Sequence, residues 1–385
     1  MNRLSASLDR LRRTPSGPVE GLGDLYVAAV VALLPMIVVA RALLPDRYSY
    51  DSNTIASIAR REYHPFEDTS YLYVGRLYEF LGAADRPWLA ALIGSSFAAM
   101  ALYPALLGAR GPVTLRAGFL VGLYVVTVSA YLGQYSKEVW VLPVVFVVLV
   151  AGRGLRGELA IVAAALTYAY FFRTYWALIL VVYVGLRIVT SSALRRRRVV
   201  GSVVGVVVGV TVLAPVALGE SIQTYRQSVN LDRVLNPDAT TLIAPPELGA
   251  NPIADSIENV VALVELAVPV PLAALGSPQY LVFAVVIVAM WALFARSAVW
   301  GPGRLLDGGP ARDADPKLLR AALFAIAVLT TQCLFEPDYG SYLKHLTPVM
   351  PLLIAVALRS ASRPAADARA EAARPAPGSV GSARE

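Results

Sequence analysis

Long apolar blocks alternate with brief polar interruptions along most of this chain. Several blocks run 14 to 20 residues with almost no charge. Continuous runs of that length match the hydrocarbon thickness of a bilayer and are too long for buried strands. They predict membrane-spanning helices at 25–44, 88–107, 117–132, 138–151, 158–171, 175–189, 199–218, 280–299, 319–335 and 346–358. The expected fold class is an all-α polytopic integral membrane protein of about ten transmembrane helices, several of them short. Residues 1–24 form a cytoplasmic segment, 25–358 one transmembrane domain, and 359–385, rich in Ala, Arg and Pro, a disordered cytoplasmic tail. The first apolar run is longer than a signal-peptide core and is followed by Pro45-Asp46, so it reads as a retained helix.

Two pairs of spans are short. Lys137 to Arg153 is 16 residues, roughly 24 Å of helix against a hydrocarbon core of about 30 Å. Arg173 lies 15 residues after Glu158 and 14 before Arg187. Both pairs are expected to be hairpins turning below the outer headgroups, where non-helical backbone survives only if protein or a wet cavity satisfies it. The rival reading makes 117–151 and 158–189 single long helices and leaves Lys137, Glu138 and Arg173 in mid-membrane.

Composition agrees with the pattern: 57% of the 385 residues are hydrophobic and only 16% charged. The net charge of +7 would suit nucleic acid, but its distribution points to membrane orientation instead. With the N-terminus inside, the cytoplasmic segments hold 23 Lys/Arg and 10 Asp/Glu, and the outer segments 11 and 17. Inverting the topology would put Arg195–Arg198 outside, against the positive-inside rule. Both termini are therefore expected in the cytoplasm of a bacterial cytoplasmic-membrane protein. The inner halves of the spans read as almost purely apolar. A single cysteine, Cys333, excludes an intramolecular disulfide, and nothing resembles a Cys/His metal cluster.

Two outer segments are long. Residues 45–87 are rich in tyrosine and charge, and 219–279 contain Asn236-Pro237, Pro245-Pro246 and Asn251-Pro252 before an apolar piece at 257–275, read as interfacial or re-entrant. The side chains of chemical interest fall on this same outer side, and ionisable groups held at membrane depth mark substrate paths or active sites. Gly133-Gln134-Tyr135-Ser136-Lys137-Glu138 puts a cation beside a carboxylate at a hairpin tip: Lys137 to hold a phosphate, Glu138 to act as base or orient the lysine, or simply a self-neutralised turn. Tyr170-Phe171-Phe172-Arg173-Thr174-Tyr175-Trp176 sets one arginine in an aromatic wall, to snorkel or to grip an anion. Glu336-Pro337-Asp338 through Lys344-His345 gathers acid, base, phenol and imidazole in a short loop between two spans. Asp46 and Asp51 follow the first span. Either could serve as a base, while Asp51 or Ser52 would equally cap the next helix. Arg60, Arg61, His64 and Arg76 are weaker candidates on the same segment.

An acidic, tyrosine-rich first outer loop, a Ser-Lys-Glu hairpin, an arginine after aromatics and a late Tyr342-Leu343-Lys344-His345 before a Pro-containing span together resemble bacterial polysaccharide polymerases of the Wzy and EpsG-like group, from about residue 45 to 355. These link lipid-carried oligosaccharide repeats and share the broad architecture of GT-C glycosyltransferases that use polyprenyl-phosphate sugars. The resemblance implies metal-independent transfer, without a cofactor, from an undecaprenyl-pyrophosphate glycan donor to an acceptor hydroxyl on the extracytoplasmic face. It places Lys137, Arg173, Lys344 and Arg76 on the pyrophosphate, and gives acceptor activation to Asp51, Glu138, Asp338 or His345. Membrane lipid and the envelope's polysaccharide export or flippase components are the expected partners, and nucleic acid is not. One departure is the outer segment 219–279, which has only Arg226 and Arg233 where such polymerases often carry a larger arginine-rich loop. Competing classes are a single-sugar transferase, a transporter or flippase for a lipid-linked glycan, and a scaffold without activity.

Overall fold

The computed structural model describes residues 21–62, 69–107, 113–190, 195–224, 226, 241–243, 248–249, 251–300, 305–306 and 315–359. Among these residues secondary structure is helical, apart from an isolated bridge between Leu242 and Asp338. The helices are α1 (Leu22–Leu43), α2 (Tyr50–Ala59), α3 (Thr69–Phe80), α4 (Pro87–Leu107), α5 (Leu115–Tyr131), α6 (Leu142–Val150), α7 (Leu155–Phe171), α8 (Trp176–Val189) and α9 (Arg195–Leu218). They continue with α10 (Pro252–Ala267), α11 (Val270–Ala274), α12 (Pro278–Ala295), α13 (Pro316–Phe335), α14 (Tyr339–Leu346) and α15 (Met350–Arg359). The all-α class expected from the pattern is what the chain forms. The expected disordered tail and His64 lie outside the described residues.

All ten predicted spans coincide with helical structure, but among the described residues only six stretches have both the length and the apolarity to cross a membrane unaided. These are Leu22–Leu43, Pro87–Leu107, Arg197–Ala217, Pro278–Trp300, Pro316–Phe335 and Tyr339–Leu358. Leu115–Tyr131, Glu138–Val150 and Trp176–Val189 are shorter apolar helices.

The two expected chain breaks are present, at 132–137 and 172–175, rather than the two long helices of the rival reading. The first break satisfies its backbone within the protein, as depth in a membrane demands. Arg41 donates to the Gly133 carbonyl at 2.9 Å, the Gly133 amide to the Val128 carbonyl at 2.9 Å, and the Ser136 amide to the Tyr78 hydroxyl at 3.3 Å. Gly94 on α4 permits this approach, because a Cβ there would collide with the Leu132 carbonyl oxygen. Helices α7 and α8 pack together as a hairpin. By contrast α5 packs chiefly on α1, while α6 turns to α4, α7 and α13.

Helix starts follow ordinary end chemistry. Asn251, Thr114 and Asp315 each accept a backbone N–H at the starts of α10, α5 and α13, two of them with proline in the first turn. The apolar window of α13 is 78% buried and that of Tyr339–Leu358 is 83% buried, against 22% for α1 and 28% for α9. The first two therefore form the centre of the bundle. On α1, exposed Val27, Val31 and Val38 present the apolar outer surface of a lipid-facing helix.

Three local expectations need correction. Residues 336–345 are not an open loop. From Tyr339 onward the chain is helical and runs through a 3-10 turn at Thr347–Val349 into α15, because Asp338 caps α14 and Pro348 is accommodated in that turn. Asp51 does not cap α2; Ser49 occupies that place, and Asp51 sits in the first turn with its carboxylate engaged elsewhere. The expectation of almost purely apolar inner halves also fails. Arg320, 1% exposed, donates to Glu158 at 2.8 Å and to the carbonyls of Ala151 and Gly152, and Arg187 and Tyr183 close on the same carboxylate.

Candidate functional site

Glu138 follows the first break and is 1% exposed. A carboxylate so deeply buried must be compensated. Its Oε1 lies 2.6 Å from Arg173 Nη2 and 3.4 Å from His345 Nε2, and its Oε2 lies 3.5 Å from Lys344 Nζ. The Ser136 hydroxyl donates to Oε2 at 2.7 Å, and the same hydroxyl oxygen accepts the Glu138 amide at 3.2 Å. Three cationic or potentially cationic groups from two distant parts of the chain thus meet at one carboxylate.

The elements that supply them have simple local causes. Arg173 is set by the α7–α8 turn, where its amide donates to the Tyr168 carbonyl at 3.3 Å and its carbonyl accepts from Trp176 at 3.0 Å. Ring stacking of Phe172 on Trp140 fixes the turn against the Glu138 segment, with centroids 6.2 Å apart and planes 8° from parallel. Lys344 and His345 are neighbours in the last turn of α14. Asp338 starts that helix by accepting the Ser341 amide at 2.8 Å, and adjacent residues on it reach opposite oxygens of Glu138. Behind His345, its Nδ1 lies 2.7 Å from Glu336 Oε2. In the tautomer protonated at Nδ1, Glu336 orients the ring and Nε2 is left toward Glu138.

Helices α2 and α3 complete the cluster. Lys344 forms an ion pair with Asp51, and the Tyr71 hydroxyl donates to the other Asp51 oxygen at 2.7 Å. Lys137 Nζ lies 3.2 Å from Ser70 Oγ and 3.4 Å from the Tyr71 ring centroid, a close cation–π contact. Burial alone would raise the Asp51 carboxyl, but the Lys344 ammonium and the hydrogen bonds from Lys344 and Tyr71 hold it at about 2. Burial, reinforced by the charge of Arg173, pulls Lys137 down to about 8. Tyr71 is pushed well up by burial and by the Asp51 carboxylate.

A small pocket opens beside these groups, lined by Glu138, Arg173 and His345 together with Tyr168, Tyr175 and Gln332. The buried Gln332 Oε1 and Glu336 Oε1 accept no hydrogen bond, so the site has unused polar capacity. Among the described residues no three His, Cys, Asp or Glu side chains are grouped to hold a metal ion.

Of the eight residues to which the resemblance gives a role, six converge here: Asp51, Lys137, Glu138, Arg173, Lys344 and His345. Two have other placements. Asp338 is engaged as the cap of α14, and Arg76 pairs at the surface with Glu79 at 2.8 Å. Ser136, Ser70, Tyr71 and Gln332 were not singled out for a role. Ser136 directly precedes the chosen Lys137-Glu138 pair, and Gln332 is a polar side chain inside an apolar span. Ser70 and Tyr71 carried no signal beyond a tyrosine-rich stretch.

No protein-family model, no curated protein and no solved structure matches the chain.

Proposed function

We propose that this chain is a membrane glycosyltransferase that polymerises undecaprenyl-pyrophosphate-linked oligosaccharide repeats on the extracytoplasmic side of a bacterial cytoplasmic membrane. The observation that carries the reading is the convergence of Arg173, Lys344 and His345 within 3.5 Å of buried Glu138, with Lys137 on the adjoining residue. A leaving diphosphate gains negative charge, and fixed cations in a site shielded from water stabilise it far better than water does. Glu138 holds the cations in place while the site is empty of substrate. Its burial and its ties to Arg173 and Ser136 suit it to that role better than to proton abstraction.

His345 is the assigned base. It lines the pocket, and Glu336 holds its far nitrogen. As the acceptor hydroxyl attacks the anomeric carbon, its proton passes to His345 Nε2, the new glycosidic bond forms, and the bond to the pyrophosphate oxygen breaks. The electron pair leaves on the lipid diphosphate, which Arg173, Lys344 and Lys137 receive. The orientation with both termini cytoplasmic, and the ten-span topology in which the short helices cross as pairs, belong to this proposal.

The test is genetic complementation with immunodetection of the protein. Arg173→Ala and Lys137→Ala should each abolish polymer while protein is still detected in the membrane. Undiminished polymer from both variants contradicts the reading.

A further inference from the structure

The basic groups of the site are met from two sides. Arg173 and His345 face Glu138 within the bundle. The two lysines are also met by α2 and α3: Lys344 by Asp51, and Lys137 by Ser70 and the face of Tyr71. The Tyr71 hydroxyl bonds Asp51 and so joins these contacts into one connected plug. Helices α2 and α3 pack chiefly on each other. Ile55, Val74 and Tyr78 belong to a small apolar cluster that also takes in Ala90 of α4 and Tyr135 of the first break, with Trp140 and Phe172 packed against it. Polar links to the lysines and to Ser136 add to this apolar contact in fastening the helix pair over the site.

A carboxylate against a lysine supplies the anionic oxygen that a phosphate, with more charge and more oxygens, would also supply. We infer that Asp51 is a built-in competitor for the anionic ligand: it occupies the place on Lys344 that one phosphate of a diphosphate takes, so binding displaces Asp51 and releases α2 and α3 from the lysines. This rests on the proposed function only in taking a diphosphate as the ligand. The closed state lowers the apparent affinity by the fraction of molecules that are open, and losing the competitor removes that loss. It also gives the two ends of the cluster different tasks. Arg173 stands at the pocket for the first phosphate to arrive, and Lys344 becomes available only once the ligand has displaced the carboxylate. An empty site then keeps its lysines neutralised, and the helix pair moves only when a ligand with enough negative charge is present.

The experiment uses the full chain purified in detergent, with inorganic pyrophosphate as probe and calorimetry as readout. Asp51→Asn should bind about tenfold more tightly than wild type, and Lys344→Ala more weakly. The double variant should bind no more tightly than Lys344→Ala alone. Independently of that substitution, a thiol introduced by Ser70→Cys in the otherwise wild-type chain should be alkylated faster when pyrophosphate is added. Equal or weaker binding by Asp51→Asn, or a Ser70→Cys thiol indifferent to pyrophosphate, overturns the competitor while leaving the anion site standing. Pyrophosphate binding unchanged in both Lys344→Ala and Arg173→Ala would instead remove the anion site on which the proposed function depends.

Discussion

Arg173→Ala, Glu138→Gln and the double variant form a thermodynamic cycle on the ion pair at the centre of the site. The pair is 2.6 Å long, with side chains 18% and 1% exposed. Removing one partner of a buried pair costs about 3–5 kcal/mol, because the survivor keeps its charge without compensation. After Arg173→Ala, Glu138 still has the Ser136 hydroxyl at 2.7 Å and Lys344 at 3.5 Å. The cost therefore belongs near the lower bound, about 3 kcal/mol. Glu138→Gln strands Arg173, which is less buried and borders the pocket, so about 2 kcal/mol is expected. The double variant strands neither charge. It should lose about 3 kcal/mol rather than the sum, a coupling of about 2 kcal/mol. Reversible unfolding in mixed detergent–SDS micelles measures all three. Additivity within about 0.5 kcal/mol, the range seen for independent sites, would refute the claim that this pair organises the site.

The pH profile follows from Lys137, whose charged form is present below about 8 and lost above it. Activity should decline through that pH, and Lys137→Arg should carry the active range further into alkali; an unmoved alkaline limb would separate Lys137 from the chemistry. Stability has the opposite sign. Because the folded value lies below the unfolded one of about 10.4, the unfolded chain binds the extra proton between them, and this residue's contribution to folding rises with pH across that window. At the inner node, Arg320→Ala leaves Glu158 with Arg187 and Tyr183 and frees the carbonyls of Ala151 and Gly152. It should cost about 3 kcal/mol in the same unfolding assay, and Arg320→Lys less; a loss under about 1 kcal/mol would make the node incidental. For orientation, a cysteine replacing exposed Gly276 should react with an impermeant thiol reagent in whole cells, and one replacing Arg153 only after permeabilisation. The reverse pattern would invert the topology.

The helices were legible because burial in hydrocarbon demands long apolar runs, and nothing else in the sequence imitates them. The breaks at 132–137 and 172–175 were legible for the complementary reason: Lys137, Glu138 and Arg173 do not sit in mid-helix among apolar residues without a cause. What the sequence left dark was convergence. Asp51 and Lys344 are 293 positions apart, and Arg320 and Glu158 are 162 apart. No periodicity relates them, since their meeting is decided by how α13, α14 and α15 pack. The residues from 336 to 345 misled for a local reason. Their polar composition and proline suggested a loop, yet Asp338 supplies the cap that starts a helix there. Arg76 was expected on the same side as the cluster but faces Glu79 at the surface, because an expected side does not fix which way a helical residue points.

The most direct test is reconstitution. Purified protein is incubated with undecaprenyl-pyrophosphate oligosaccharide from its host, and the products are separated on a gel. The account predicts a ladder of added repeats from the wild type and none from Arg173→Ala. Transfer of a single sugar from a polyprenyl-phosphate donor, or no transfer at all from either donor, would contradict it.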